Sequence, residues 1–132
     1  MKIIIAGDGK VGATLTRQLS SEGYDVTIID SKASPLESSV ERYDVISVQG
    51  NCASMDVLRQ AGVKDADLLI AATGADEVNL LCCTTAHAMN QKLHTIARVR
   101  NPEYTEQIFK MRETFGLSML CLLYTSPSPR DA

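Results

Sequence analysis

The chain begins MKIIIAGDGKVGATLTRQL, and this stretch restricts the fold more than any other. Ile3, Ile4 and Ile5 form an unbroken apolar run between Lys2 and Ala6. Such a run suits a central parallel strand covered on both faces. Gly7, Gly9 and Gly12 follow, and the hydrophobic period then changes. Val11, Leu15 and Leu19 recur at i, i+4 and i+8, the stripe of an amphipathic helix over residues 10–22. Gly23 stands where a left-handed residue closes a helix. Residues 25–29, Asp-Val-Thr-Ile-Ile, supply a second strand, and Asp30 closes it.

Strand and helix patterns keep alternating. Ser34-Pro35-Leu36-Glu37 reads as a capping box, with Ser34 at N-cap and Pro35 first in a helix to about Arg42. Residues 44–49 predict strand three, Ser54 to Ala61 a short helix closed by Gly62, and residues 67–72 strand four. The helix expected over 76–90 is apolar almost all round, which implies cover on more than one side by another subunit or domain. Residues 94–99 read as strand five. Asn101-Pro102 then starts a helix striped by Tyr104, Ile108, Met111 and Phe115. Gly116 ends it, and residues 117–120 begin a sixth strand. This alternation predicts an α/β fold, a Rossmann-like doubly wound parallel sheet of about six strands in order 3-2-1-4-5-6 with helices on both faces. The run Ser126-Pro127-Ser128-Pro129 cannot continue a helix or strand, so residues 121–132 read as a non-native or truncated tail beyond a domain of residues 1–120.

Gly7-x-Gly9-x-x-Gly12 has the context that gives such a motif meaning: a strand before, a helix after, and an acid ending strand two. Gly7 permits the tight turn, Gly9 lets the backbone approach a pyrophosphate, and Gly12 lets helix and strand pack closely. The helix start presents amide N–H groups and partial positive charge to phosphate. Asp30 suits ribose hydroxyls and repels a 2′-phosphate, which favours NAD over NADP and serves ATP or ADP equally well. Asp8 is awkward beside a phosphate, and Lys10 is expected to offset it. In an open parallel sheet, ligands bind at the carboxyl ends of the strands. Those ends are Gly50-Asn51, Ala72-Thr73-Gly74 and Arg98, with Arg100 on the same strand face. The expected cofactor-binding set is Gly7, Gly9, Lys10, Val11, Gly12, Asp30, Asn51, Cys52, Ala72, Thr73, Gly74 and Arg98.

Other chemistry is poorly supported. Net charge is −3 and no Lys/Arg cluster is visible, which argues against nucleic acid. No apolar run reaches a membrane span, and Met1-Lys2 before Ile3 is too short for a signal peptide, so the expected location is the cytoplasm. Cys52, Cys82, Cys83 and Cys121 form no Cys-x-x-Cys pair and read as small buried hydrophobes. His87 and His94 lack ligand spacing. No Tyr-x-x-x-Lys pair, nucleophile with a neighbouring base, or metal cluster marks an enzyme.

Several further stretches carry a resemblance: Val48-Gln-Gly-Asn51, Val57-Leu-Arg-Gln-Ala-Gly62 with Asp65-Ala-Asp67, Ala72-Thr-Gly-Ala-Asp-Glu-Val-Asn79, and Ile96-Ala-Arg-Val-Arg-Asn-Pro-Glu-Tyr104. With the glycine loop and Asp30, they resemble the N-terminal nucleotide-binding half of RCK (KTN) domains. These occur in regulatory subunits of bacterial Trk-type potassium uptake systems. The resemblance covers about residues 1–120. It implies a non-enzymatic cytoplasmic subunit, peripheral to the inner face of the plasma membrane, that dimerises, joins a tetrameric ring and gates a Trk/Ktr-type membrane transporter. Its regulatory ligands would be NAD(H), ATP or ADP. By position, Gly7, Gly9 and Gly12 would hold phosphates and Asp30 ribose, Asn51 and Thr73 would line the adenine or ribose side, and Arg98 would meet terminal phosphates. The family continues into a C-terminal ligand-sensing lobe that these residues do not include. The competing reading is the cofactor half of an NAD-dependent oxidoreductase, which shares the glycine loop and Asp30 but not Asn101-Pro102-Glu103-Tyr104.

Overall fold

The computed structural model describes residues 1–115 and 119–122. The strands are β1 (Lys2–Ala6), β2 (Asp25–Asp30), β3 (Ile46–Gln49), β4 (Leu68–Ala71), β5 (His94–Val99) and β6 (Met119–Leu122). They form one sheet in the order β3-β2-β1-β4-β5-β6, and every neighbouring pair is parallel. The helices are α1 (Lys10–Ser21), α2 (Ala33–Arg42), α3 (Met55–Gln60), α4 (Asp76–Met89) and α5 (Pro102–Phe115). A 3-10 turn over Val63–Asp65 leads from α3 into β4.

Alternation along β1 explains its unbroken apolar sequence. Ile3 and Ile5 face a layer with Val26, Ile28 and Leu36, against which Leu15 and Leu19 of α1 lie. Ile4 and Ala6 face the opposite layer with Leu58, Leu69, Cys82, Ala86 and Ile108. The central strand thus has helices on both sides. Strand order reverses between β1 and β4, and the register sets Ala6 beside Ile29 on one side and Ala71 on the other.

Local chemistry fixes the element ends. Gly23 takes φ +90°, and the Tyr24 amide reaches back to the Leu19 carbonyl, closing α1 as the sequence suggests. Asn101 Oδ1 accepts the Glu103 amide and caps α5. At α2 the structure corrects the expected start. The helix begins at Ala33 after Lys32, and Ser34 is not its cap. Asp30 Oδ1 accepts the Lys32 amide and sets the chain into the helix early. Pro35 then falls third, where its missing N–H would have no helical partner anyway.

Two stripes also differ from expectation. On α1 the fully buried positions are Gly12 and Thr16, while Val11, Leu15 and Leu19 are half-buried. Gly12 brings the helix so near the sheet that Thr16 sits in the seam, its hydroxyl donating to the Gly12 carbonyl. On α4 the buried face is Asp76, Asn79, Cys82, Cys83 and Ala86, but Leu81 remains 56% exposed. On α5, Ile108 is buried and Met111 is exposed. β6 runs over Met119–Leu122, later than the expected 117–120. Gly116 and the tail over 123–132 lie outside the described residues.

Candidate functional site: a cationic pocket at the strand-order reversal

The glycine loop is built from backbone contacts. Gly7 adopts φ +101°, and its amide donates to the Ile29 carbonyl at 2.7 Å. A Cβ on Gly12 would stand 1.7 Å from the Gly7 carbonyl oxygen. Gly9 occupies the N-cap of α1 with no side-chain cap bond, and nothing lies within 4 Å of the place a Cβ would take. The first amides of α1 therefore open onto free space.

That space is a cavity of about 840 Å³, inside the range common for small-molecule sites. Every residue of the expected binding set lines it except Gly12, which is packed behind the loop. The walls also include Ser31, Lys32, Pro35 and Arg100. Ser31, Lys32 and Pro35 were not singled out in the sequence as site residues. Their signal is position alone, directly after the acid that ends β2. The charged lining groups are Lys10, Lys32, Arg98 and Arg100 against Asp30. A chain of net charge −3 thus has a predominantly cationic pocket.

Asp30 is held by two amides. Its Oδ2 accepts the Asp8 N–H at 2.7 Å and its Oδ1 the Lys32 N–H at 2.9 Å. Asp8 does not face the phosphate position, and Lys10 need not offset it. The Asp8 side chain turns under α2, where it is 4% exposed and accepts the Ser39 hydroxyl at 2.7 Å. Burial raises its carboxyl above the usual range; the Ser39 hydrogen bond opposes this and the Asp30 charge adds to it. A carboxyl raised in the folded state costs stability as pH climbs from its unfolded value through its folded value. Asp8→Asn is therefore expected to raise the thermal midpoint at pH 7, with the gain vanishing as pH falls towards about 4. A lower midpoint at pH 7 would contradict this.

The far wall is the turn after β4. Asn79 of α4 is fully buried and controls it. Its Oδ1 accepts the Thr73 amide at 2.9 Å and the Thr73 hydroxyl at 2.7 Å. Its Nδ2 donates to the Thr73 carbonyl at 3.2 Å and to the Arg98 carbonyl at 2.8 Å. One side chain thus ties the ends of β4 and β5 together. Arg98 and Arg100 donate from their guanidinium groups to the carbonyls of Thr73 at 3.3 Å and Gly74 at 3.1 Å. Asp76 does more than favour the start of α4. Its carboxylate accepts the amides of Arg100 and Asn101 and fixes the turn into α5. Tyr104 donates to Glu77 at 2.5 Å, which lowers the Glu77 carboxyl and raises the Tyr104 phenol.

The third wall is the turn after β3. Asn51 Oδ1 accepts the Ala53 amide at 2.9 Å, and this turn sets Cys52 at the cavity. Among the described residues no cluster of His, Cys, Asp and Glu could hold a metal, and no helix is long and apolar enough to cross a membrane.

The family profile described as TrkA-N domain matches residues 3–115. The Trk system potassium uptake protein TrkA of Vibrio alginolyticus is 42% identical over 113 residues, covering 83% of this chain and 25% of that protein. The protein of the same name from Halomonas elongata is 46% identical over 104 residues, covering 79% and 23%. The chain spans about a quarter of the length of these relatives. Among solved structures, the Shewanella denitrificans Kef C-terminal domain in AMP-bound form superimposes with TM-score 0.78 at 28% identity, covering 93% of this chain and 72% of that one. The GsuK channel bound to NAD shares the fold at TM-score 0.75 and 23% identity, covering 91% and 21%. The chain belongs to the TrkA-N, or RCK N-terminal, family.

Proposed function

We propose that this domain is a nucleotide-sensing regulatory module for a bacterial potassium uptake transporter, and not an enzyme. The observation that carries the reading is the cationic cavity, with Lys10, Lys32, Arg98 and Arg100 around a single carboxylate at the start of α1. A pyrophosphate would lie on the amides after Gly9, where the helix start favours negative charge. Asp30 would accept from ribose. Asn51 and Cys52 would flank the adenosine side, and Ala72, Thr73 and Gly74 the opposite wall. Arg98 and Arg100 would meet a terminal phosphate or a second nucleotide half.

The ligands proposed are NAD(H), ATP and ADP. A solved relative holds AMP and a structural neighbour holds NAD, which supports the adenine nucleotide class. The partner proposed is the membrane subunit of a Trk/Ktr-type system, reached from the cytoplasmic side, as the relatives' names support. Self-association into dimers and a ring would use α4 and α5, where Leu81 and Phe109 are 56% and 58% exposed. A concentration-independent monomer in sedimentation equilibrium would remove that contribution.

A nucleotide biases such a ring only by binding one of its states better than the other. Arg98 is the proposed discriminator, because it lines the cavity at the end of β5, beside the turn after β4. Arg98→Ala is expected to weaken ATP roughly tenfold more than ADP, the equivalent of about one charge-assisted hydrogen bond. Equal losses in parallel titrations would overturn that role. The reading as a whole is tested by thermal shift with ATP, ADP, NAD, NADH and NADPH. A ligand at about a hundred times its dissociation constant adds roughly 2.7 kcal/mol, a rise of about 10 °C for a domain of this size. Stabilisation by ATP or ADP beside NADH, with NADPH weak, is expected. A response to NAD and NADH alone would favour an oxidoreductase cofactor domain instead.

A further inference from the structure

Asp30 belongs to a closed circuit of hydrogen bonds that runs through α2. Its Oδ1 accepts the Lys32 amide, and Lys32 is the N-cap of α2. Ser39 lies about two turns further along the same helix, on its buried face with Leu36. The Ser39 hydroxyl donates to Asp8 Oδ2 at 2.7 Å, and the Asp8 amide donates to Asp30 Oδ2 at 2.7 Å. The circuit leaves one oxygen of the Asp30 carboxylate and returns to the other.

Neither Asp8 nor Ser39 lines the cavity, and the two are 4% and 5% exposed. Asp8 Oδ1 is buried with no hydrogen-bond partner. A buried carboxylate with one oxygen unpaired costs stability, so stability alone does not account for an acid here. Departures of this kind from local rules belong to functional sites.

We propose that Asp8 and Ser39 are positioning residues, which hold the Asp30 carboxylate in the orientation that receives ribose hydroxyls. The identity of the ligand rests on the function proposed above; the restraint on Asp30 does not. The terminal torsion of an aspartate is broad, so an untethered carboxylate samples many planes. One amide on each oxygen fixes the plane of Asp30 and leaves each oxygen a further lone pair for a hydroxyl. The Lys32 amide is a local partner, two residues on. The Asp8 amide comes from the loop between Gly7 and Gly9, where the backbone is least restricted. Its anchor is its own side chain, tied to Ser39. The site that results selects adenine nucleotides carrying ribose over those lacking its hydroxyls. By linkage, a ribose held on Asp30 tightens α2 in return.

The test is calorimetric titration of the 132-residue chain with ADP and with 2′,3′-dideoxy-ADP. Asp30→Ala is expected to weaken ADP about tenfold, the loss of one hydrogen bond to a charged group. Ser39→Ala, and Asp8→Ala as a second variant, are expected to reproduce roughly threefold of that loss, because the carboxylate remains but is loosened. Each variant should bind dideoxy-ADP as the parent does. Asp8→Asn is isosteric and still accepts from Ser39, so it should keep the parent's preference for ribose. A general loosening of the fold weakens both ligands alike. Equal losses for the two, or an unchanged preference for ADP in both alanine variants, would overturn the positioning role. Amide exchange by NMR supplies a readout without nucleotide. In Ser39→Ala the Asp8 amide should exchange several-fold faster while the Gly7 amide, bonded to Ile29, does not change. Unchanged exchange at Asp8 would overturn the role whatever the titrations show. Absence of ADP binding to the parent would bring down the nucleotide reading alone, and the Asp8 amide would still decide whether Ser39 sets Asp30.

Discussion

Gly12→Ala is expected to cost the domain at least about 3 kcal/mol, enough to remove much of the stability of an ordinary small domain. The added Cβ would lie 1.7 Å from the Gly7 carbonyl oxygen and 2.7 Å from its carbon. Both are backbone atoms, so no flexible side chain can move aside. Gly7 cannot retreat either. Its amide is bonded to Ile29, and a Cβ of its own would already approach Ala72 and Thr73 at 3.0 Å. The helix must therefore withdraw from the sheet. That opens the seam holding Thr16 and displaces the first amides of α1. Urea denaturation measures the loss. A change under about 1 kcal/mol would show that the loop relaxes in a way this geometry does not allow.

Asn79→Ala is expected to be comparably damaging, by about 3 kcal/mol, through lost partners instead of a clash. The substitution removes four hydrogen bonds centred on a fully buried amide. The Thr73 amide and the Arg98 carbonyl lose their Asn79 partner, and a buried polar group left unpaired costs about 1–3 kcal/mol. The loss also has a local signature. Thr73 has its amide, hydroxyl and carbonyl all tied to Asn79, so the turn after β4 should loosen before the sheet does. Denaturation together with hydrogen exchange at the Thr73 amide separates the two effects. Unchanged exchange there, with stability within about 1 kcal/mol of the parent, would contradict the role assigned to Asn79.

Short-range patterns carried most of the fold into view. The β1 run, the shift of period after Gly9 and the left-handed Gly23 each depend on neighbours within a few residues. The alternation of strands and helices then leaves few topologies, and the observed strand order is the expected one. The loop glycines separate by role once their surroundings are seen. Gly9 faces the cavity, and Gly12 packs against Gly7 behind it, the close-packing role that the motif spacing gave it; only the resemblance had assigned Gly12 to phosphate.

What stayed hidden depends on contacts across the chain. Asp8 looks like a repulsive charge until α2 brings Ser39 to it, from 31 residues away. The start of α2 is decided by the Asp30 carboxylate, so the local capping signal at Ser34 loses. Asn79 shows in sequence only as part of a motif, because its partners sit at the ends of two other strands.

The central claim is that the cavity at the start of α1 receives an adenine nucleotide. Amide chemical-shift mapping by NMR during titration with ADP tests it most directly. Saturable shifts should concentrate at Gly9, Lys10, Val11, Asp30, Asn51, Thr73 and Gly74, with little change at the far ends of the strands. No saturable shift, or shifts clustered away from the glycine loop and Asp30, would contradict the account.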